Sequence, residues 1–322
     1  MQEAKKHEEE GTHMTKPPLA PVATWKLKWQ KSRLLLLMFL PCLLYYALFK
    51  YAPMFGLVIS FKNYSVFKGI LASEWVGLKY YKMFFNNPDF FELIRNTFLL
   101  GFYKLVFAFP APIILALVLN GVKNVFVSRF AQTVTYLPHF ISNVVVASMA
   151  LLFLSPTGGV INKLLEFMGT DAINFMGRPE LFRGIYVVSE IWQHAGWEAI
   201  IYLAALAGID PQLYEAAEMD GASRWRKLVH VTIPGISPAI VIVFLLNIGK
   251  VFEIGFEKVF LLSNPAIYET SDILSTYVYR VGLIQGNFSY GAAIDLFTSF
   301  VCMAFILSAN YISRKAGDTS LW

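Results

Sequence analysis

The sequence predicts an all-α integral membrane protein, a bundle of six transmembrane helices with a structured loop on its cytoplasmic side. Three observations lead there. The chain has 322 residues, 56% of them hydrophobic and only 15% charged, with a mean hydropathy of +0.52; soluble domains carry about 25% charge. The apolar residues gather in six long runs, and a bilayer core needs about 20 such residues per helix. The basic residues sit beside alternate ends of those runs, the pattern that orients membrane proteins.

Residues 1–30 read as a solvated cytoplasmic tail. The stretch is polar, holds Glu8, Glu9 and Glu10 and the prolines Pro17, Pro18 and Pro21, and lacks a cleavable signal pattern. Lys26, Lys28, Lys31 and Arg33 follow, interleaved with Trp25 and Trp29; basic and indole side chains together anchor a membrane boundary. Residues 31–315 form the transmembrane domain and residues 316–322 a short C-terminal tail. The six spans are expected at about Leu34–Ile59, Thr97–Asn120, Ala131–Leu154, Phe182–Ala207, Ile236–Leu262 and Tyr290–Ile312. Continuous apolar runs of this length exclude the period-two alternation of half-buried strands. Pro41, Pro110, Pro112 and Pro138 lie in or near spans, where neighbouring helices satisfy the freed carbonyls.

The basic N-terminal flank places both ends in the cytoplasm. Lys123 and Arg129, then Arg224, Arg226 and Lys227, then Arg314 and Lys315 all fall inside under this assignment. The longer segment between spans one and two would lie outside although it carries Lys62, Lys68, Lys79, Lys82 and Arg95; Glu74, Asp89 and Glu92 partly offset them. The net charge of +5 is explained by orientation and does not call for nucleic acid. Cys42 and Cys302 both lie in apolar runs and read as small core hydrophobes.

The inner loop between spans four and five is the most informative segment. Pro211 opens a helix where a missing N–H costs nothing, and Gln212 to Met219 are good helix formers. Gly221 permits a left-handed backbone and a sharp corner. A second short helix from Ala222 to about Val231 would carry Trp225 and Leu228 on one face, and Pro234 would break it before the next span. The expectation is a helix–turn–helix on the cytoplasmic surface that offers apolar, acidic and basic groups to a partner.

The pattern Glu215-Ala216-Ala217, then Asp220-Gly221-Ala222, then Trp225, then Ile233-Pro234 and Pro238 resembles the EAA loop of bacterial binding-protein-dependent importer permeases, the type I ABC importer fold. Members usually have Leu where this chain has Ile233. Three further stretches are similar to permeases of oligosaccharide and polysaccharide importers, alginate importers among them: Tyr51 to Leu57, Arg95-Asn96-Thr97, and Tyr136 to Ser142. The resemblance covers roughly residues 30 to 318. It implies that the loop, about 211–235, is a coupling helix docked in a cleft of an ATP-hydrolysing subunit. Glu215, Ala216, Ala217, Asp220, Gly221, Ala222, Trp225 and Pro234 are the coupling residues. It also implies a heterodimeric permease, two ATP-binding subunits that bind ATP and Mg, an extracytoplasmic solute-binding protein, an oligosaccharide solute with uronate-rich chains as one class, and the bacterial inner membrane. No cofactor belongs to this chain itself. A P-loop is lacking: Gly249-Lys250 is the sole Gly-Lys pair, and Phe244 stands where that motif needs its first glycine. The outer loops are too short for an inserted domain of about 50 residues or more, so the binding protein would dock on them directly.

Charge inside a span costs about 2.5–3.5 kcal/mol on insertion scales and marks a cavity or a partner. Span five, read as one helix, places Lys250, Glu253 and Glu257 within about 60° of one another with Asn247 beside them. That face is the expected solute passage, and Lys250 would attract a carboxylated sugar; an internal Lys250–Glu253 pair is the alternative. Span four presents Glu190, Gln193, His194, Trp197 and Glu198 on one face. The i, i+4 spacing of Glu190, His194 and Glu198 lacks a second histidine or a cysteine to complete a metal set, so hydrogen bonding within the bundle is the expected role. Trp192 and Gln193 join the passage candidates, as does Asp295 in span six; Lys104 in span two reads as a lone charge that snorkels outward. Two rivals stand beside this reading. An ABC permease for a non-sugar solute shares the loop and differs only in what it binds. An ion-coupled secondary transporter predicts internal hydropathy repeats, which the sequence does not display.

Overall fold

The computed structural model describes residues 25–248, 251–252 and 254–316. They fall into two compact units, Met1–Gly56 and Leu57–Trp322. The first unit holds α1 (Trp25–Tyr46), which runs through a π-helical turn at Ala47–Tyr51 into Ala52–Met54. Side chains from Leu35 to Phe55 are exposed all round, as suits a helix whose solvent is lipid.

The second unit is built on helices α2 (Phe90–Asn120), α3 (Val125–Phe140), α4 (Asn143–Phe153), α5 (Val160–Phe167), α6 (Pro179–Ala207), α7 (Pro211–Met219), α8 (Arg224–Ile248), α9 (Phe256–Leu262) and α10 (Phe288–Ala316). The one sheet among the described residues is a two-residue antiparallel hairpin, β1 (Lys62–Asn63) against β2 (Glu74–Trp75). The run Leu35–Phe61 and helices α2, α8 and α10 are each long and apolar enough to cross a membrane alone. Helices α3 and α4, bent by 100° at a short break, reach that length and apolarity only as a pair and are read as one broken span. Helix α6 is 29 residues long but interrupted by polar groups on its buried face, where Tyr186, Glu190, Gln193, Gly196 and Tyr202 all lie.

Three prolines share one local device. Pro53, Pro110 and Pro234 each follow a π-helical turn, at Ala47–Tyr51, Lys104–Ala108 and Leu228–Thr232. Proline lacks an N–H and its ring crowds the carbonyl four residues back. A wide i→i+5 turn just before it re-routes the bonding, as Phe109 N donating to Lys104 O at 3.1 Å illustrates. This corrects the expectation at Pro234: the helix does not break there, and α8 runs unbroken from Arg224 to Ile248.

Span five is the second correction. The expected helix Ile236–Leu262 is not continuous: Val251 and Phe252 form a turn, and Phe256–Leu262 is a separate helix, α9, opened by Gly255. The single polar face drawn through Asn247 and Glu257 therefore does not exist. Lys250 and Glu253 lie outside the described residues.

The broken span is held by named contacts. Ser142 caps α4 by accepting from Val145 N at 3.4 Å, and Gln193 Nε2 of α6 donates to the Ile141 carbonyl at 2.8 Å. Gly196 lets α6 touch the backbone of α3: a Cβ there would overlap the Thr135 carbonyl. Gly196→Leu should cost at least the roughly 1–3 kcal/mol of an overpacked core. The expected outcome is loss of the folded complex from membranes, read by fluorescence-detected size exclusion. At the far end, Asn96 Nδ2 donates to the carbonyls of Glu269 and Asp272 at 3.0 and 3.1 Å, and Thr97 Oγ1 accepts from Leu274 N at 3.0 Å. The Arg95-Asn96-Thr97 stretch thus ties α2 to the connection between α9 and α10.

Candidate functional site

Two features carry chemistry: the α7–α8 hairpin and a charged cleft between spans.

The hairpin's geometry follows from its residues. Asp210 accepts from Gln212 N at 2.9 Å and so caps α7, with Pro211 at the first helical position. The helix ends in a Schellman motif: Gly221 N donates to Glu218 O at 3.0 Å and Ala222 N to Ala217 O at 2.9 Å. Gly221 takes φ +70° to make these bonds. Ser223 then caps α8, accepting from Arg226 N at 3.4 Å. Two side-chain contacts close the two arms: Lys227 Nζ to Glu218 Oε1 at 2.5 Å, and Tyr214 OH with Thr232 Oγ1 at 3.0 Å. Glu215, Ala216, Asp220, Trp225 and Pro234 are exposed, as is Met219 at 88%. The corner is thus a rigid, charged and partly apolar knob. The second arm differs from expectation: it is the first turns of α8, not a separate helix ending near Val231.

The Lys227 contact holds the Glu218 carboxyl below its ordinary value of 4.5, chiefly through the hydrogen bond. A depressed carboxyl contributes above its unfolded pKa, and the contribution vanishes as pH falls through the lowered value. Lys227→Met should return Glu218 to about the usual carboxylate range near 4.3, read by NMR titration of side-chain-labelled glutamate.

The cleft is centred on Glu190 of α6. Its Oε2 lies 2.7 Å from Lys104 Nζ on the π turn of α2, and its Oε1 receives Lys258 Nζ from α9. Lys258 is 2% exposed and Glu190 6%. Lys104 is therefore not a lone charge that snorkels outward; its ammonium is turned onto a buried carboxylate although its stem stays partly exposed. His194 Nε2 stands 3.8 Å from Glu190 Oε1, and its Nδ1 meets His139 Nδ1 at 3.2 Å, so one ring donates and the other accepts. His139 stacks on Trp197 at 4.7 Å. The charged chain thus runs from α9 through α6 to the corner of the broken span. Lys104, Glu190, His194, Glu198 and Asn247 line a cleft of about 80 Å³.

The sequence-derived passage candidates are dispersed. Asn247 lines the cleft, with its Nδ2 bonded to the Val243 carbonyl at 2.9 Å. Gln193 is buried and spends its amide on Ile141. Trp192 faces an apolar groove with Met149 and Val188. Asp295 is exposed on α10 and lines a separate hollow with Ser275, Thr298 and Ser299. Glu257 sits on α9 and accepts from Asn143 Nδ2 at 2.7 Å. Lys258 is not among the sequence-derived candidates; a lysine directly before the apolar run Val259 to Leu262 is the available signal.

Membrane-length helices, a charged cleft between them and a bent, partner-ready knob at one end define a permease component of a transport machine. The chain belongs to the binding-protein-dependent transport system inner membrane component family, whose model matches residues 108–317. It is 46% identical over 296 residues to the polygalacturonan/rhamnogalacturonan transport system permease protein YteP of Bacillus subtilis (strain 168), covering 92% of each chain. It is 44% identical over 309 residues to protein LplB of the same organism, covering 94% of this chain and 97% of that one. Among solved structures it is similar to a chain of a bacterial alginate ABC transporter in complex with an alginate pentasaccharide-bound periplasmic protein, at 39% identity and a TM-score of 0.86. That match covers 93% of this chain and all of the other. The type I importer permease fold follows.

Proposed function

We propose that this chain is one of two permease subunits in an ATP-driven importer that carries a uronate-containing oligosaccharide into the bacterial cytoplasm by alternating access. The observation that carries the proposal is the Schellman corner at Gly221, which fixes an exposed charged knob to the end of a span. Two ATP-binding subunits hold ATP and Mg and grip this knob on the two permeases; this chain performs no hydrolysis. Both termini and the knob lie in the cytoplasm, in keeping with Arg224, Arg226 and Lys227 on α8 and Lys123 between α2 and α3. The opposite loops receive an extracytoplasmic solute-binding protein.

The cycle requires that the partners bind one state better than the other. ATP-driven closure of the motor subunits draws the two knobs together and opens the permease pair outward; hydrolysis reverses the motion. The solute class is supported by relatives named for polygalacturonan and alginate, both polymers of uronic acids. Asn247 and the Glu190 cleft, with Lys250 and Glu253 from the neighbouring segment, are the proposed passage lining; Asp295 faces the second permease or the passage.

The test is reconstitution of the whole complex in proteoliposomes with its binding protein. ATP hydrolysis should be stimulated by acidic oligosaccharides and not by neutral ones of equal length. Equal stimulation by both would refute the solute class; uptake by this chain alone would refute the importer reading.

A further inference from the structure

A second hollow lies on the other side of α6 from the charged cleft. Met149 and Phe153 of α4, Ile161 of α5, and Leu181, Val188 and Trp192 of α6 line a groove enclosing about 490 Å³ with almost wholly apolar walls. Helix α5 crowns it. Asn162 anchors that helix: its Nδ2 donates to the carbonyls of Ser155 and Ile173 at 2.8 and 3.0 Å, and its Oδ1 accepts from Ile173 N at 2.8 Å. Yet the opposite, apolar side is left bare. Leu164 is 56% exposed, Phe167 91% and Met168 77%. They follow Val160 at helical spacing, so one face of a pinned helix is hydrophobic, with Lys163 at its edge and Glu166 on the far side.

Three features say what covers this surface. The groove follows α6 from Leu181 to Trp192, which at 1.5 Å per residue is about 16 Å. That is one leaflet, half of the roughly 30 Å hydrocarbon core; a partner's spanning helix would demand the full depth. Next, α5 starts within a few residues of the end of α4, after a turn closed by Gly159 N donating to Ser155 O at 3.2 Å, so it is tethered at the height where a span leaves the bilayer. Third, its apolar face is continuous with the groove through Ile161. A short amphipathic helix in that position lies in the headgroup boundary with its apolar side toward the acyl chains.

We propose that the α4–α6 groove is a phospholipid site: one acyl chain of the leaflet on the α5 side lies against Met149, Val188 and Trp192, and α5 rests at the headgroup boundary above it. Gly184 lies within the groove wall, and a Cβ there meets nothing within 4 Å, so the groove can be filled without disturbing the helix.

The assembled complex, with Cys42→Ala and Cys302→Ala, is reconstituted in phosphatidylethanolamine–phosphatidylglycerol liposomes with a spin label at Val188→Cys. The label should be reached by oxygen and shielded from a water-soluble nickel chelate. Access by nickel means a water-filled groove, and protection from both relaxants means a protein cover; either result overturns the proposal. In parallel, Gly184→Phe should lose one phospholipid from the native mass spectrum of the complex, whereas Gly184→Ala keeps it. An unchanged lipid count in the phenylalanine variant also overturns the proposal. If that variant fails to assemble, the label accessibility still decides.

Discussion

Replacing Gly221 by valine is expected to cut solute-stimulated ATP hydrolysis in the assembled importer about tenfold or more while leaving membrane insertion intact. The corner needs φ +70°, and a β-branched residue there is a steric outlier. Holding it costs about 1–3 kcal/mol, and the easier response is for the chain to unwind the Schellman bonds from Gly221 and Ala222. Either way the knob loses its shape. Coupling should fall about tenfold or more, since 1.36 kcal/mol is a factor of ten. Gly221→Asn is the informative control, because asparagine tolerates the left-handed region and should retain most activity. A valine variant with full stimulated hydrolysis would show that the corner's geometry is dispensable.

Glu190→Ala should be the most damaging single change within the spans. It leaves Lys104 and Lys258 facing each other without their carboxylate, and breaking a buried pair by removing one partner costs about 3–5 kcal/mol. The expected readout is a sharply lowered melting temperature of the purified complex or its failure to accumulate. Combining Glu190→Leu with Lys258→Met removes the buried carboxylate and the buried ammonium together and should recover most of the loss, because apolar replacement of a buried pair is often neutral. If Glu190→Ala melts like the parent, the triad contributes nothing and the three helices are held by packing alone.

These two sites differ in how far the sequence disclosed them. The hairpin was legible because its determinants are local: a proline at the first helical position, good helix formers, then glycine at the corner. What escaped was its continuation. Pro234 reads as a stop, and only a π turn at Leu228–Thr232 lets the helix pass through it. The break in span five was readable in principle, since Gly255 opens the separate helix α9 and a glycine inside a helix costs about 1 kcal/mol relative to alanine, as Gly249 would too. The apolar run on both sides outweighed them. The Glu190 triad was not readable, because Lys258 and Glu190 are 68 positions apart and helix periodicity says which residues share a face, not which faces meet. The same limit scattered the passage candidates: Trp192 and Gln193 are neighbours in sequence yet look into an apolar groove and onto the Ile141 carbonyl.

The uninterrupted α8 has a mechanical consequence. Its 25 residues make one continuous helix of about 37 Å that joins Trp225 to Ile248, beside the charged cleft. The other arm is not built that way: between α6 and α7 the backbone leaves the helix at Gly208 and re-enters through Asp210. The knob therefore works as a crank with one welded arm and one pivoted arm. Under the proposed coupling, a motion imposed at the knob would pass mainly down a single shaft rather than be shared between two.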